Sequence, residues 1–229
     1  MKGQARRVLR HYAPYQNNLQ SCFPVHDLRW SVWASPGHQA ILTPSEMIYV
    51  IMGVSGCGKT TLGAYLSHKL GWPLHEGDDF HPRENVEKMA RGEPLTDQDR
   101  LPWLLKLHDV IQRERSSGGD AIMVCSALRR LYRQVLLFGS EALTYSSDTA
   151  GLHMCSLPGV WFLFLYGTYD LIHARMVARR GHFMQPGLLR SQFDVLEPPA
   201  EEENALLLDI RRSTDDICRE IQEHLRQLS

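Results

Sequence analysis

Residues Gly53-Val54-Ser55-Gly56-Cys57-Gly58-Lys59-Thr60 follow the apolar run Met47-Ile48-Tyr49-Val50-Ile51-Met52 without a break. The pattern G-x-x-x-x-G-K-[ST], fed by a strand and opening a helix, points to a parallel α/β sheet. In that setting successive backbone N–H groups and the positive end of a helix converge on one anion. The helix-like stretch Thr61-Leu62-Gly63-Ala64-Tyr65-Leu66 continues the pattern. A loop of this kind cradles nucleotide phosphates with Gly53, Val54, Ser55, Gly56, Cys57, Gly58, Lys59, Thr60 and Thr61. Lys59 is placed to reach the β- and γ-phosphates and the Thr60 hydroxyl to hold Mg²⁺.

The chain of 229 residues, 43% hydrophobic and 22% charged, is long enough to bury one α/β core with room for a small appendage. A formal net charge of -1 gives no broad electrostatic case for nucleic acid or an anionic membrane as partner. No apolar run approaches the ~20 residues a bilayer span requires, and Val160-Trp161-Phe162-Leu163-Phe164-Leu165-Tyr166 has the length of a buried strand. The five cysteines, Cys22, Cys57, Cys125, Cys155 and Cys218, lack C-x-x-C or paired histidine spacing. They are expected to be reduced thiols of an intracellular protein, with no zinc site.

Residues 1–46 lack sustained periodicity; Lys2, Arg6, Arg7, Arg10 and Arg29 stand early in this stretch, with Pro14, Pro24, Pro36 and Pro44 scattered through it. They are expected to be a poorly ordered leader ahead of one domain at 47–229. A basic, acid-poor start resembles an organelle transit peptide, but it lacks a convincing amphipathic helix. Cytoplasmic residence is therefore expected, with the mitochondrion as the alternative. Beyond the leader, strands are expected at 47–52, 74–76, 121–125, 160–166 and 206–210. Helices are expected at 59–70, 82–115 with a break at 92–94, 128–137, 169–180, 188–196 and 215–228, and a surface loop at 139–158. This alternation is that of a three-layer fold, a central parallel sheet flanked by helices.

Transfer of a phosphoryl group needs a phosphate cradle, positive charge on the moving group, and a carboxylate for the accepting hydroxyl. Glu76-Gly77-Asp78-Asp79 lies at the carboxyl end of the second strand, where open α/β sheets place ligands, and Asp78 is the first choice for that carboxylate. Arg175 and Arg179, four apart on one helix face, precede the glycine-punctuated Gly181-His182-Phe183-Met184-Gln185-Pro186-Gly187, the build of a lid. Arg129 and Arg133 share a second spacing of four just after the 121–125 strand. Their guanidinium forks suit a small anionic substrate better than a polyanion.

Several motifs in order carry a more specific resemblance. They are Asp78-Asp79-Phe80-His81-Pro82 with Asn85 and Lys88-Met89, and Gly92-x-Pro94-Leu95-x-Asp97-x-Asp99-Arg100-x-Pro102-Trp103-Leu104. Cys125-Ser126-Ala127-Leu128 with Tyr132-Arg133, Gly181-His182-Phe183, and Ser191-Gln192-Phe193 with Leu196-Glu197 follow. Together with the phosphate loop these resemble the gluconokinases, in the shikimate- and adenylate-kinase-like branch of the phosphate-loop fold.

The resemblance implies ATP- and Mg²⁺-dependent phosphorylation of D-gluconate at its 6-hydroxyl, a substrate-binding helical insert and lid, and frequent dimerisation. It implies that Asp78 meets the accepting hydroxyl and that His81, Arg100, Ser126, Arg129 and Arg133 surround gluconate, while Lys59, Arg175 and Arg179 serve transfer. Three departures stand out: Glu76 and Gln134 where many relatives carry Asp, and Arg129 where they carry Lys. Cys57 replaces a frequent Ser. It is either a thiol that ionises readily among loop amides, and so a redox-sensitive block to ATP, or simply a tolerated small residue. A kinase for another sugar acid or a shikimate-like acceptor, and a non-catalytic nucleotide-binding protein, are the alternatives. A GTP switch is disfavoured, since Asp148-Thr149-Ala150-Gly151 follows no apolar strand and no N-K-x-D occurs.

Overall fold

The computed structural model describes residues 47–144, 156–178 and 187–228. The leader at 1–46 and the expected lid at 181–187 with Arg179 fall outside these residues, except for Gly187.

Five parallel strands form one sheet in the order β2-β3-β1-β4-β5. They are β1 (Ile48–Met52), β2 (Leu74–Glu76), β3 (Ala121–Val124), β4 (Val160–Tyr166) and β5 (Ala205–Asp209). The central β1 pairs with β3 through Ile48 and Ala121 and with β4 through Ile48 and Val160, so all five of its residues are buried. That burial on both faces explains why β1 is uniformly apolar rather than alternating.

The helices are α1 (Lys59–Leu70), α2 (Arg83–Ala90), α3 (Asp97–Ser116), α4 (Arg130–Phe138), the short α5 (Glu141–Thr144), α6 (Tyr169–Ala178), α7 (Gly187–Val195) and α8 (Thr214–Leu228). Their layers follow from the right-handed rule for parallel crossovers. The β1-to-β2 connection runs toward one edge and puts α1 on one face. The later crossovers run the opposite way and put α3 and α4 on the other. Accordingly α1 packs with α8, Tyr65 donating to Asp215, and α3 packs with α4. The inward face of α8 is Ile217, Cys218, Ile221 and His224, spaced for a helix of 3.6 residues per turn.

Strand order reverses on either side of β1, so its carboxyl end is the switch point at which such sheets hold ligands. Expected and observed elements agree to within a few residues. The exceptions are α5 inside the expected 139–158 loop and a single 3-10 turn at Gly77–Phe80 just after β2. That turn has a physical cause. A Cβ on Gly77 would sit 2.4 Å from the Val124 carbonyl oxygen, so only glycine lets the chain turn this close to β3.

Candidate active site

The loop between β1 and α1 is built by close approach. Gly53 has φ 138, and a Cβ there would lie 2.7 Å from the Leu165 carbonyl oxygen. Its N–H donates to the Ser126 carbonyl at 3.2 Å, which ties the loop to the end of β3. Gly58, at φ 104, caps α1 in the left-handed region and turns the following amides toward the helix axis. Lys59 folds back over the loop, its Nζ donating to the Val54 carbonyl at 3.0 Å, a bond that nucleotide phosphates can replace.

Two clefts meet at this loop. One, of about 340 Å³, has Leu62, Leu165, Met176, Ile210 and Ile217 as its apolar walls, with Arg175, Arg212 and Thr214 at its edge. Arg175 is held there by donating to the Ile210 carbonyl at 2.9 Å. The other, of about 230 Å³, brings Ser55, Lys59 and Thr60 to Asp78, His81, Arg100 and Ser126, with Glu93, Trp103 and Gln192 also on its walls. Gly56, Gly58 and Thr61 belong to both. Two clefts that share the phosphate cradle, one walled by aliphatic side chains and the other gathering Lys59, Asp78, His81 and Arg100, suit a nucleotide and a small acceptor.

The acceptor side rests on the helical insert. Thr96 and Asp99 form a reciprocal cap at the start of α3. Lys88 donates to Asp99 at 2.7 Å; this bond, with the Thr96 amide and hydroxyl, holds the Asp99 carboxyl well below the usual range. Asn85 donates to the Asp99 carbonyl at 2.7 Å and so locks α2 to α3. From α3, the Trp103 indole N–H donates to the Gly77 carbonyl at 2.6 Å, and its ring stacks on His81 with centroids 4.1 Å apart. Trp103 thereby fixes the 3-10 turn that presents Asp78. The Asp78 side chain is 94% exposed, with Oδ1 3.9 Å from His81 Nε2, free to meet a ligand. Burial pushes the His81 pKa down, with Asp78 opposing and Arg100 adding to the shift. The ring is thus a neutral wall at neutral pH.

Thr60 Oγ1 donates to Glu76 Oε2 at 3.3 Å, while Glu76 Oε1 is buried with no hydrogen-bond partner. Burial pushes the Glu76 carboxyl upward, the Thr60 bond opposing and Asp78 and Asp79 adding to it. A buried carboxylate oxygen with an open lone pair beside the Thr60 hydroxyl fits a hard divalent cation, directly or through its water. Among the described residues no cluster of three or more His, Cys, Asp or Glu could hold a metal, so a cation here would take most of its ligands from phosphates and water.

The structure takes Arg133 away from the ligand role expected of it, pairs Arg129 with a carboxylate, and favours the tolerated-residue reading of Cys57. Arg133 is absent from the acceptor cleft and is 1% exposed, its guanidinium consumed by Glu203 and by the Ala127 and Glu197 carbonyls. Arg129 precedes α4 rather than sharing a helix face with Arg133, and pairs with Asp97, which also accepts from the Tyr132 hydroxyl. Cys57 is 2% exposed, and burial pushes its thiol up despite the nearby Lys59 and Arg175. The loop therefore does not make it a reactive thiolate.

Ser191 and Gln192 were legible only as parts of a motif. Arg212 and Thr214 carried no signal, because a cleft assembled from β4, β5, α6 and α8 has no local spacing.

A phosphate loop at the carboxyl end of the central strand, opening on two clefts that share Gly56, Gly58 and Thr61, defines a kinase of small molecules on the α/β phosphate-loop fold. No protein-family model matches the chain. It is similar to the probable gluconokinase of Mus musculus, 41% identical over 78% of this chain and 97% of that protein, and to the thermosensitive gluconokinase of Escherichia coli, 39% identical over 78% and 89%. Among solved structures it matches a gluconokinase from Sinorhizobium meliloti with TM-score 0.64 at 36% identity, covering 80% of this chain and 93% of that one. The chain belongs to the gluconokinase family.

Proposed function

We propose that this enzyme transfers the γ-phosphoryl group of ATP to the 6-hydroxyl of D-gluconate, giving 6-phosphogluconate and ADP. The observation that carries this reading is the single cleft whose walls hold both the Lys59 loop and the exposed Asp78 carboxylate, with Arg100 nearby. Curated relatives named gluconokinase support the choice of acceptor.

ATP lies with its base in the apolar cleft, and Lys59 exchanges the Val54 carbonyl for the terminal phosphates. Gluconate enters the cleft of Asp78 with its carboxylate toward Arg100, whose guanidinium donates to the Leu95 carbonyl and lies 5.6 Å over the Tyr132 ring. Asp78 orients the 6-hydroxyl and takes its proton as the oxygen bonds to the γ-phosphorus and the bond to ADP breaks. Mg²⁺, held by Thr60 with Glu76 behind it, would neutralise charge on the phosphates. Arg175 stabilises the nucleotide side, and Arg179, outside the described residues, is proposed to join it.

The proposed kinase unit is 47–229. The cytoplasm is the proposed compartment, supported by Cys57, Cys125 and Cys218, all free thiols.

A coupled ADP assay over gluconate, other aldonates and shikimate tests the assignment. Gluconate-dependent ADP formation is expected. Its absence in folded protein, or a stronger response to shikimate, overturns it.

A further inference from the structure

Gln192 joins two parts of the molecule 137 residues apart. It stands on α7, which Leu189 and Phe193 anchor in the core at 0% and 2% exposure, and its carboxamide grips Ser55 of the phosphate loop through both atoms. Oε1 accepts from the Ser55 N–H at 2.7 Å, and Nε2 donates to Ser55 Oγ at 3.1 Å. The orientation of the amide is settled by chemistry, since a backbone N–H can only donate and must face the oxygen. In the Nε2 bond Ser55 Oγ is the acceptor, so the hydroxyl proton is not the one used there. Ser55 and Gln192 both line the acceptor cleft, with Lys59 and Asp78.

We propose that Gln192 is a positioning residue for phosphoryl transfer, aiming the Ser55 hydroxyl proton at the moving phosphoryl group between Lys59 and Asp78. Two consequences separate this from a packing role. The Ser55 N–H is satisfied by a side chain, which sets it apart from loop amides available to phosphate. The hydroxyl, with one of its two lone pairs engaged by Nε2, has its proton turned away from Gln192 and so keeps it as a donor for the cleft where both substrates meet. A donor fixed before the reaction costs no reorganisation as charge shifts, so its value falls on turnover rather than on binding of ATP.

This inference rests on the kinase reading above, and wild-type ADP formation with gluconate checks that reading separately. The test is a cycle of Ser55→Ala, Gln192→Ala and the double variant, with kcat, KM for ATP and Tm measured for each. Each single change is expected to lower kcat about tenfold, the worth of one hydrogen bond near a charged group, with KM for ATP within about threefold. The double variant is expected to lose about tenfold as well, because both changes remove the same aimed proton.

Gln192→Glu guards against loop collapse in the alanine variant. It keeps an acceptor for the Ser55 N–H, but its carboxylate draws the hydroxyl proton to itself, so kcat should again fall about tenfold at unchanged Tm. Full kcat in Gln192→Glu, losses that multiply to about a hundredfold in the double variant, or a defect confined to KM for ATP overturns the proposal while leaving the reaction assignment intact.

Discussion

Arg133 and Glu203 face each other through two hydrogen bonds, Nε to Oε2 at 2.5 Å and Nη2 to Oε1 at 2.9 Å, with side chains 1% and 3% exposed. The same guanidinium donates through Nη1 to the Ala127 carbonyl at 3.2 Å and the Glu197 carbonyl at 2.8 Å. Ala127 has φ 42, a conformation an alanine holds only when its surroundings impose it. The pair therefore braces the turn that carries Ser126 and Leu128 to the wall of the acceptor cleft. Removing one partner leaves a buried charge, so Glu203→Ala should cost about 3–5 kcal/mol, seen as a fall in the midpoint of urea denaturation. Replacing both, as Arg133→Met with Glu203→Leu, should cost clearly less.

Lys59 at the start of α1 and Asp78 in the turn after β2 line the same cleft, and their losses should differ in kind. Lys59→Ala is expected to lower kcat/KM by about 10²–10³, having lost its charge on the terminal phosphates. Asp78→Asn should lower kcat by about 10²–10⁴ yet leave ATP affinity, read by calorimetry, within about twofold. Near-normal kcat in Asp78→Asn would remove the carboxylate from its assigned part.

Trp103 donates to a buried carbonyl, so Trp103→Phe keeps most of the ring and loses the bond to Gly77. The expected cost is about 1–3 kcal/mol of stability. KM for the acceptor should rise, with KM for ATP little changed, because the displaced turn carries Asp78. Steady-state kinetics with each substrate varied in turn checks that division.

Cys57 lies within the phosphate loop yet is shielded, and its raised thiol pKa leaves little thiolate at neutral pH. Iodoacetamide should label it only after denaturation, with native activity retained through the treatment. Peptide mapping distinguishes it from Cys22 and Cys155. Rapid native modification of Cys57 would restore the redox reading.

His81 and His224 both have pKa values pushed down from 6.5 by burial. Between the lowered folded values and 6.5 the unfolded chain binds more protons, so stability rises with pH across that window and is lost as pH falls through it. His224, whose Nε2 is buried without a partner and whose ring meets Trp161 at 4.1 Å, should contribute visibly. His224→Phe should show a shallower loss of stability below about pH 6.5 than the wild type, as measured by denaturation at several pH values.

The phosphate loop, the strand before it and the helix after it were legible because their signal is local. Gly53 and Gly56 occupy positions a Cβ would block, Gly58 and Gly71 hold left-handed conformations at the two ends of α1, and that helix begins and ends where the sequence places it. The sheet class was legible from apolar runs of strand length. The acid turn at Asp78 was legible because a strand end beside a phosphate loop is where ligands lie.

Arginine roles were not legible in the same way. A spacing of four placed Arg129 and Arg133 on one face, but whether a guanidinium meets solvent, substrate or a carboxylate depends on what folds over it. Glu203, 70 residues later, claimed Arg133, and Asp97, 32 residues earlier, claimed Arg129. Gln192 was visible as a letter in a motif, while its grip on Ser55 exists only once α7 is laid against the loop. The amino-acid order thus determined by itself the cradle, the strands and the carboxylate, each encoded in a few adjacent residues. Only the tertiary structure decided which charged side chains remain available to a ligand, because pairing and burial are set by residues distant in the chain.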